Sequence, residues 1–94
     1  METIILTITD EHRAKAIDAY VNRGEFLVES CLIAQAIKEK IPSTKFISVT
    51  NCNAYIEGKP YSLDSKGQYV AQLTLVQWNE LALPVNVELT KEWW

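Results

Sequence analysis

The sequence predicts an α+β fold: a single small domain in which an antiparallel sheet of about four to five strands carries two to three helices on one face. Three observations lead there. The chain has 94 residues, enough for one hydrophobic core and too few for two, so 1–94 forms one domain. Apolar residues alternate with period two in some stretches and recur at helical spacing in others. Short turns, with no linker or repeat, join these stretches, and a chain that is 48% hydrophobic with 3 Gly and 3 Pro is neither disordered nor collagen-like.

The first element is a strand over residues 3–8, where Ile4, Leu6 and Ile8 alternate with Thr3, Ile5 and Thr7. Thr9 then offers a helix N-cap, and the acids Asp10 and Glu11 suit the positive end of a helix. The helix runs to about Asn22, with Ala14, Ile17, Tyr20 and Val21 as its apolar stripe and Arg13, Lys15, Asp18 and Asn22 toward water. Gly24 ends it, because glycine enters the left-handed conformation of a helix terminus without steric cost.

Residues 25–29 fit a linker or an early helical turn. A second helix covers roughly Ser30 to Lys40, with Leu32, Ile33, Ala36 and Ile37 on one face and Gln35, Lys38 and Glu39 opposite; Pro42 forbids its continuation. Strands follow at 45–50, 54–57 and 60–63, the last two flanking a tight turn at Gly58-Lys59. Pro60 cannot donate to a ladder, so its strand is an edge or begins there. The segment Gln68 to Trp78 reads equally as a helix capped by Asp64 or Ser65 and as an alternating strand, and its Thr and Val content leans to the strand. Val85, Val87 and Leu89 define a closing strand over 85–89.

Charge is near balance, 9 Lys+Arg against 12 Asp+Glu for a net of −3, so the basic field that drives phosphate binding is missing. Arg13, Lys15 and Arg23 are the local cations left for nucleic-acid contact, and nucleic acid is not expected as the main partner. No apolar run reaches the 18 or more residues of a membrane span, and Met1-Glu2 carries an acid where a signal peptide carries a cation, so the expected location is the cytoplasm. Cys31 and Cys52 are then expected as reduced thiols, Cys31 within an apolar helix face and Cys52 in a turn. His12, the sole histidine, reads as a surface residue. No metal-ligand spacing and no glycine-rich phosphate loop occurs, so no metal, cofactor or catalytic residue is assigned. The aromatics stand out: Trp78 is either a lid or a partner anchor. Glu92-Trp93-Trp94 either folds back over the sheet or meets a partner or a second copy. Trp78, Glu92, Trp93 and Trp94 are therefore the candidate partner-binding residues.

Several short motifs resemble a widespread group of small proteins encoded by tailed phages and prophages. They are Asn22-Arg23-Gly24 after the first strand and helix, the helix led by Cys31-Leu32-Ile33-Ala34-Gln35-Ala36-Ile37, and the hairpin Tyr55-Ile56-Glu57-Gly58-Lys59-Pro60-Tyr61-Ser62-Leu63. Leu32 departs from the family's frequent proline after the cysteine. The resemblance, spanning about 85 residues, favours a helix at 68–78. It implies a non-enzymatic accessory protein of the bacterial host's cytoplasm that binds and inhibits a host anti-phage defence complex, such as a CRISPR effector. A nucleic-acid-binding accessory protein and a small homodimeric adaptor are the alternatives.

Overall fold

A computed structural model describes residues 3–92. Five strands, β1 (Thr3–Ile8), β2 (Ile47–Val49), β3 (Asn53–Ile56), β4 (Lys59–Leu63) and β5 (Val85–Lys91), form one antiparallel sheet in the order β1-β5-β4-β3-β2. The helices are α1 (Asp10–Ile17), α2 (Leu27–Ser30), α3 (Leu32–Lys40), α4 (Ser65–Ala71) and α5 (Leu75–Trp78), and a π-helical turn over Asp18–Asn22 extends α1. The α+β class, the five-stranded antiparallel sheet and the helices on one face are as the sequence predicts. The helical layer is divided into more pieces than the expected two or three.

The first and last described strands, β1 and β5, pair from Thr3 with Thr90 to Ile8 with Val85. Period-two patterning sends Leu6, Ile8, Val87, Leu89, Leu63, Ala54, Ile56, Ile47 and Val49 to the covered face, where all are buried. The opposite face carries Thr3, Ile5, Thr7, Asn86, Glu88, Ser62 and Tyr55. The turn between β3 and β4 is made by Glu57 and Gly58, one residue earlier than the sequence suggests, and both have positive φ (54° and 79°) as a two-residue hairpin turn of this hand requires. Pro60 lies in an interior strand, between β3 and β5. The β4–β5 pairing starts only at Tyr61 with Lys91, so the proline's missing donor falls at the end of that ladder and costs no bond within it.

Helix α3 is the centre of the helical layer, touching β1, β2, α1, α2 and α4. Six consecutive residues, Leu32 to Ile37, are buried in consequence. Gln35, expected to face water, is among them, and its Nε2 donates to the Ser30 carbonyl at 3.1 Å. Of the expected stripe on α1, only Ile17 packs against the core, half-buried. His12, Ala16 and Ala19, at i, i+4 and i+7, face inward, while Ala14, Tyr20 and Val21 are exposed. Small residues let this helix approach its neighbours closely, so most of the more hydrophobic stripe is left outside. The helix ends at Gly24 (φ 64°), and Glu25 N–H reaches back to the Ala19 carbonyl at 3.0 Å.

Segment 68–78 is helical but broken. Asp64 caps α4 by accepting from Gly67 N–H at 2.7 Å. Thr74 starts α5 with a reciprocal cap, its N–H donating to Gln77 Oε1 at 2.8 Å and its Oγ1 accepting from Gln77 N–H at 3.4 Å. The restart resets the helical phase, so Trp78 turns inward and Val76 outward.

Candidate protein-binding groove

The corner around Trp78 was a candidate contact surface, and it is closed. Trp78 is 1% exposed and belongs to the core, so its ring has no face to offer a partner; this corrects its assignment as an anchor. Arg13 accounts for the closure. Its Nη1 donates to the carbonyls of Trp78 (2.7 Å) and Leu81 (2.9 Å), and its Nη2 pairs with Asp10. The Trp78 carbonyl ends α5, where a helix leaves acceptors without intrahelical donors, and the Leu81 carbonyl lies in the turn that follows. Arg13 is thus a clamp, not a nucleic-acid contact.

The other predicted cations do not gather. Arg23 pairs with Asp18 (3.3 Å) and Glu25 (3.2 Å), and Lys15 stands on an exposed position of α1. Glu92 accepts from Asn53 Nδ2 and Ser62 Oγ, both at 2.7 Å, which ties the end of β5 to the solvent-facing side of β3 and β4. Trp93 and Trp94 lie outside the described residues.

His12 is buried rather than on the surface, at 1% exposure. Its Nδ1 accepts from Thr9 N–H at 3.0 Å, which completes a capping box with a histidine in the place usually held by Glu or Gln. The ring proton therefore resides on Nε2, which lies 3.1 Å from Glu39 Oε1 in a contact not aligned as a hydrogen bond. Nδ1 is engaged by Thr9 and Nε2 faces Glu39, so neither nitrogen is turned to Cys31. The thiol of Cys31 is buried, and desolvation pushes its pKa up despite the backbone amides of Ile33 and Ala34 at the start of α3. Cys31 is a core residue and Cys52 is exposed, both as expected. Among the described residues, no three His, Cys, Asp or Glu side chains cluster as a metal site.

Sequence reasoning missed the open groove on the helical side. One hollow of about 500 Å³ is lined by Tyr20, Leu27, Ala71, Leu73 and Leu75 with the polar Asn51, Gln72 and Thr74. A second, of about 270 Å³, is lined by Leu27, Val28, Cys31, Val49 and Ala71 with Thr50 and Asn51. The shared residues Leu27, Asn51 and Ala71 make them one furrow, bounded by α2, the end of β2 and the α4–α5 junction. Beside it the stretch from Tyr20 to Val28 exposes five large apolar side chains: Tyr20, Val21, Phe26, Leu27 and Val28, with Phe26 75% exposed. The signal was present in the sequence. The apolar stripe on the first helix reads as core, whereas Ala16 and Ala19 take the inward positions, and the run Phe26-Leu27-Val28 falls in a stretch that reads only as a linker or an early helical turn. No protein-family model, curated protein or solved structure gives a significant match to this chain.

Proposed function

We propose that the protein works by binding another protein through the groove between α2 and the α4–α5 junction, without chemistry of its own. The observation that carries this reading is the concentration of exposed Tyr20, Val21, Phe26, Leu27 and Val28 beside an open apolar furrow. Such patches on small domains mark interaction surfaces, and aromatic anchors in grooves concentrate binding energy. The partner presents apolar side chains to the groove. The resemblance to phage and prophage proteins supports a finer version, in which the partner belongs to a host anti-phage defence complex such as a CRISPR effector and the binding inhibits it. Nucleic-acid binding is the weaker reading, because Arg13 and Arg23 are engaged within the chain.

The test pairs capture with phenotype. Tagged full-length protein is used to purify binding proteins from a bacterial host, alongside Phe26→Asp and, as a remote control on the sheet, Tyr55→Ser. Binding lost in Phe26→Asp and kept in Tyr55→Ser, then reproduced with the purified partner, supports the groove. Restored phage plating on a CRISPR-immune host that expresses the protein supports the finer version. Equal capture by all three proteins overturns the groove, and a partner unrelated to defence overturns the finer version.

A further inference from the structure

At the opposite edge of the sheet from the groove, we infer that β1 is the dimerisation strand of this protein and that its occupant is β1 of a second copy. Strand β1 is outermost in the sheet, and its six residues pair with β5 along one side without a bulge. Among the described residues no strand pairs with its other side. An edge of this kind presents unpaired N–H and C=O groups to any extended chain. Proteins that stay monomeric usually blunt such an edge with a charge, a proline, a bulge or a very short strand. Thr3-Ile4-Ile5-Leu6-Thr7-Ile8 has none of these, whereas the other edge, β2, is three residues long.

The strand is self-complementary. Antiparallel pairing about a two-fold axis through Ile5 sets Ile5 against Ile5 of the second copy and Thr3 against its Thr7 on the solvent-facing side. It sets Ile4 against Leu6 on the core side. Ile5 is 53% exposed and is the sole large apolar side chain of β1 on the solvent-facing side, so this register buries the one side chain that water solvates worst. The helical layer adds matching charge. A hollow of about 360 Å³ beside the strand is lined by Ile5, Leu6, Thr7, Ala36, Glu39 and Lys40. Glu39 and Lys40, both exposed at the end of α3, thus lie next to the axis, and the two-fold brings Glu39 of one copy toward Lys40 of the other. The product is a closed dimer with a continuous ten-stranded sheet. Its two apolar grooves stand at the far ends, spaced to engage two partner sites at once.

The experiment is the solution mass of the full chain by sedimentation or light scattering across a concentration series. The expected result is concentration-dependent growth from the 10.7 kDa of one chain to twice that mass and no further. Ile5→Lys places like charges face to face across the axis and is expected to weaken self-association by at least about tenfold while leaving circular dichroism unchanged. Thr3→Lys, at another exposed position of the same edge, serves if Ile5→Lys disturbs the fold, with the same expectation. Phe26→Asp, beside the groove, is expected to leave the dimer intact. A mass of one chain at every concentration overturns the inference. So does a dimer that survives both lysine variants, a dimer lost in Phe26→Asp instead, or open growth beyond two copies.

Discussion

Around Trp78 the chain closes on itself, with Arg13 spanning to two carbonyls over a buried indole, whereas from Tyr20 to Val28 five large apolar side chains remain at the surface. Both regions are helical and both are rich in apolar residues, so hydrophobicity does not separate them. The difference lies in what meets the backbone at the helix ends. At the Trp78 corner a cation from α1 satisfies the last carbonyl of α5 and one in the turn after it, and the ring beneath can be sealed. At the other end Gly24 and Arg23 turn the chain outward, and the Arg23 ion pairs with Asp18 and Glu25 are exposed and hold nothing over the neighbouring apolar groups. A corner closed by polar bonds serves folding. An apolar surface left without them is free for a partner.

The largest expected effect is on the closed side. Trp78→Ala removes a fully buried indole and leaves a cavity, a change that costs about 3–5 kcal/mol in a domain whose total stability is about 5–15 kcal/mol. Urea unfolding is expected to show a midpoint shift of that order, or no folded protein at all. A loss below about 1 kcal/mol would return Trp78 to the surface and break the comparison.

Next comes the clamp. Arg13→Ala leaves the Trp78 and Leu81 carbonyls without their charged donor and is expected to cost about 1.5–3 kcal/mol. Nη1 alone serves both carbonyls while Nη2 holds Asp10, and a lysine ammonium cannot serve all three partners from one planar group, so Arg13→Lys should recover part of the loss. Thermal melts of the three proteins check the order wild type, Lys, Ala. Full recovery by lysine would mean that charge alone suffices and that the fork geometry is incidental.

On the open side the expected stability change is small. Phe26→Ser alters a ring already 75% exposed, so unfolding should stay within about 0.5 kcal/mol of wild type. The same change is expected to weaken partner binding by about 2 kcal/mol, as truncation of an aromatic anchor does. Calorimetric titration against the purified partner, beside a urea curve, separates the two quantities. A stability loss above about 1.5 kcal/mol would make Phe26 a structural residue and close the open side.

The sheet was legible in the sequence because strand patterning is local. Leu6 and Ile8, Ile47 and Val49, and Val87 and Leu89 recur with period two, and all six are buried. The hairpin, the caps at Thr9 and Asp64, and the stop at Gly24 were legible for the same reason. The helical layer was not, because which stripe of a helix faces inward depends on what it packs against. The first helix has two faces to choose from, and close approach of α1 to α3 and of the π-helical turn to α2 selects the alanines Ala16 and Ala19 over Tyr20 and Val21. The break at Thr74 was readable as Thr-x-x-Gln, the pattern of a helix start, but an ambiguous 68–78 segment concealed it. The partners of Arg13 are 65 and 68 residues away, and no local pattern announces a bond of that span.

The smallest effect tests whether polar closure at a helix or strand end depends on burial. At the tip of the β3–β4 hairpin the Glu57 carboxylate accepts from the N–H groups of both Lys45 (a short contact) and Phe46 (2.9 Å), so it closes backbone donors as Arg13 closes acceptors. The Glu57 site is fully exposed where the Arg13 side chain is mostly covered, so water competes for the same donors. The Phe46 and Lys45 N–H bonds hold the Glu57 pKa below its ordinary value of 4.5. A folded-state pKa below the unfolded one means that the fold favours the carboxylate. Its contribution is therefore complete above about pH 4.5 and is lost as pH falls through the lower, folded value. Glu57→Gln keeps the shape, the positive φ and an acceptor oxygen while removing the charge. The melting temperatures of wild type and variant are expected to differ at pH 7 by less than the Arg13→Ala gap and to converge as pH falls below about 4.5. Glu25, whose carboxylate is favoured by the Ser30 hydroxyl, shifts in the same direction and titrates in both proteins, so it cancels from the difference. A gap that stays constant to pH 3 would assign it to shape instead of charge. A gap as large as that of Arg13→Ala would show that exposure does not weaken such closure, and burial would then no longer explain why the Trp78 corner is sealed so firmly.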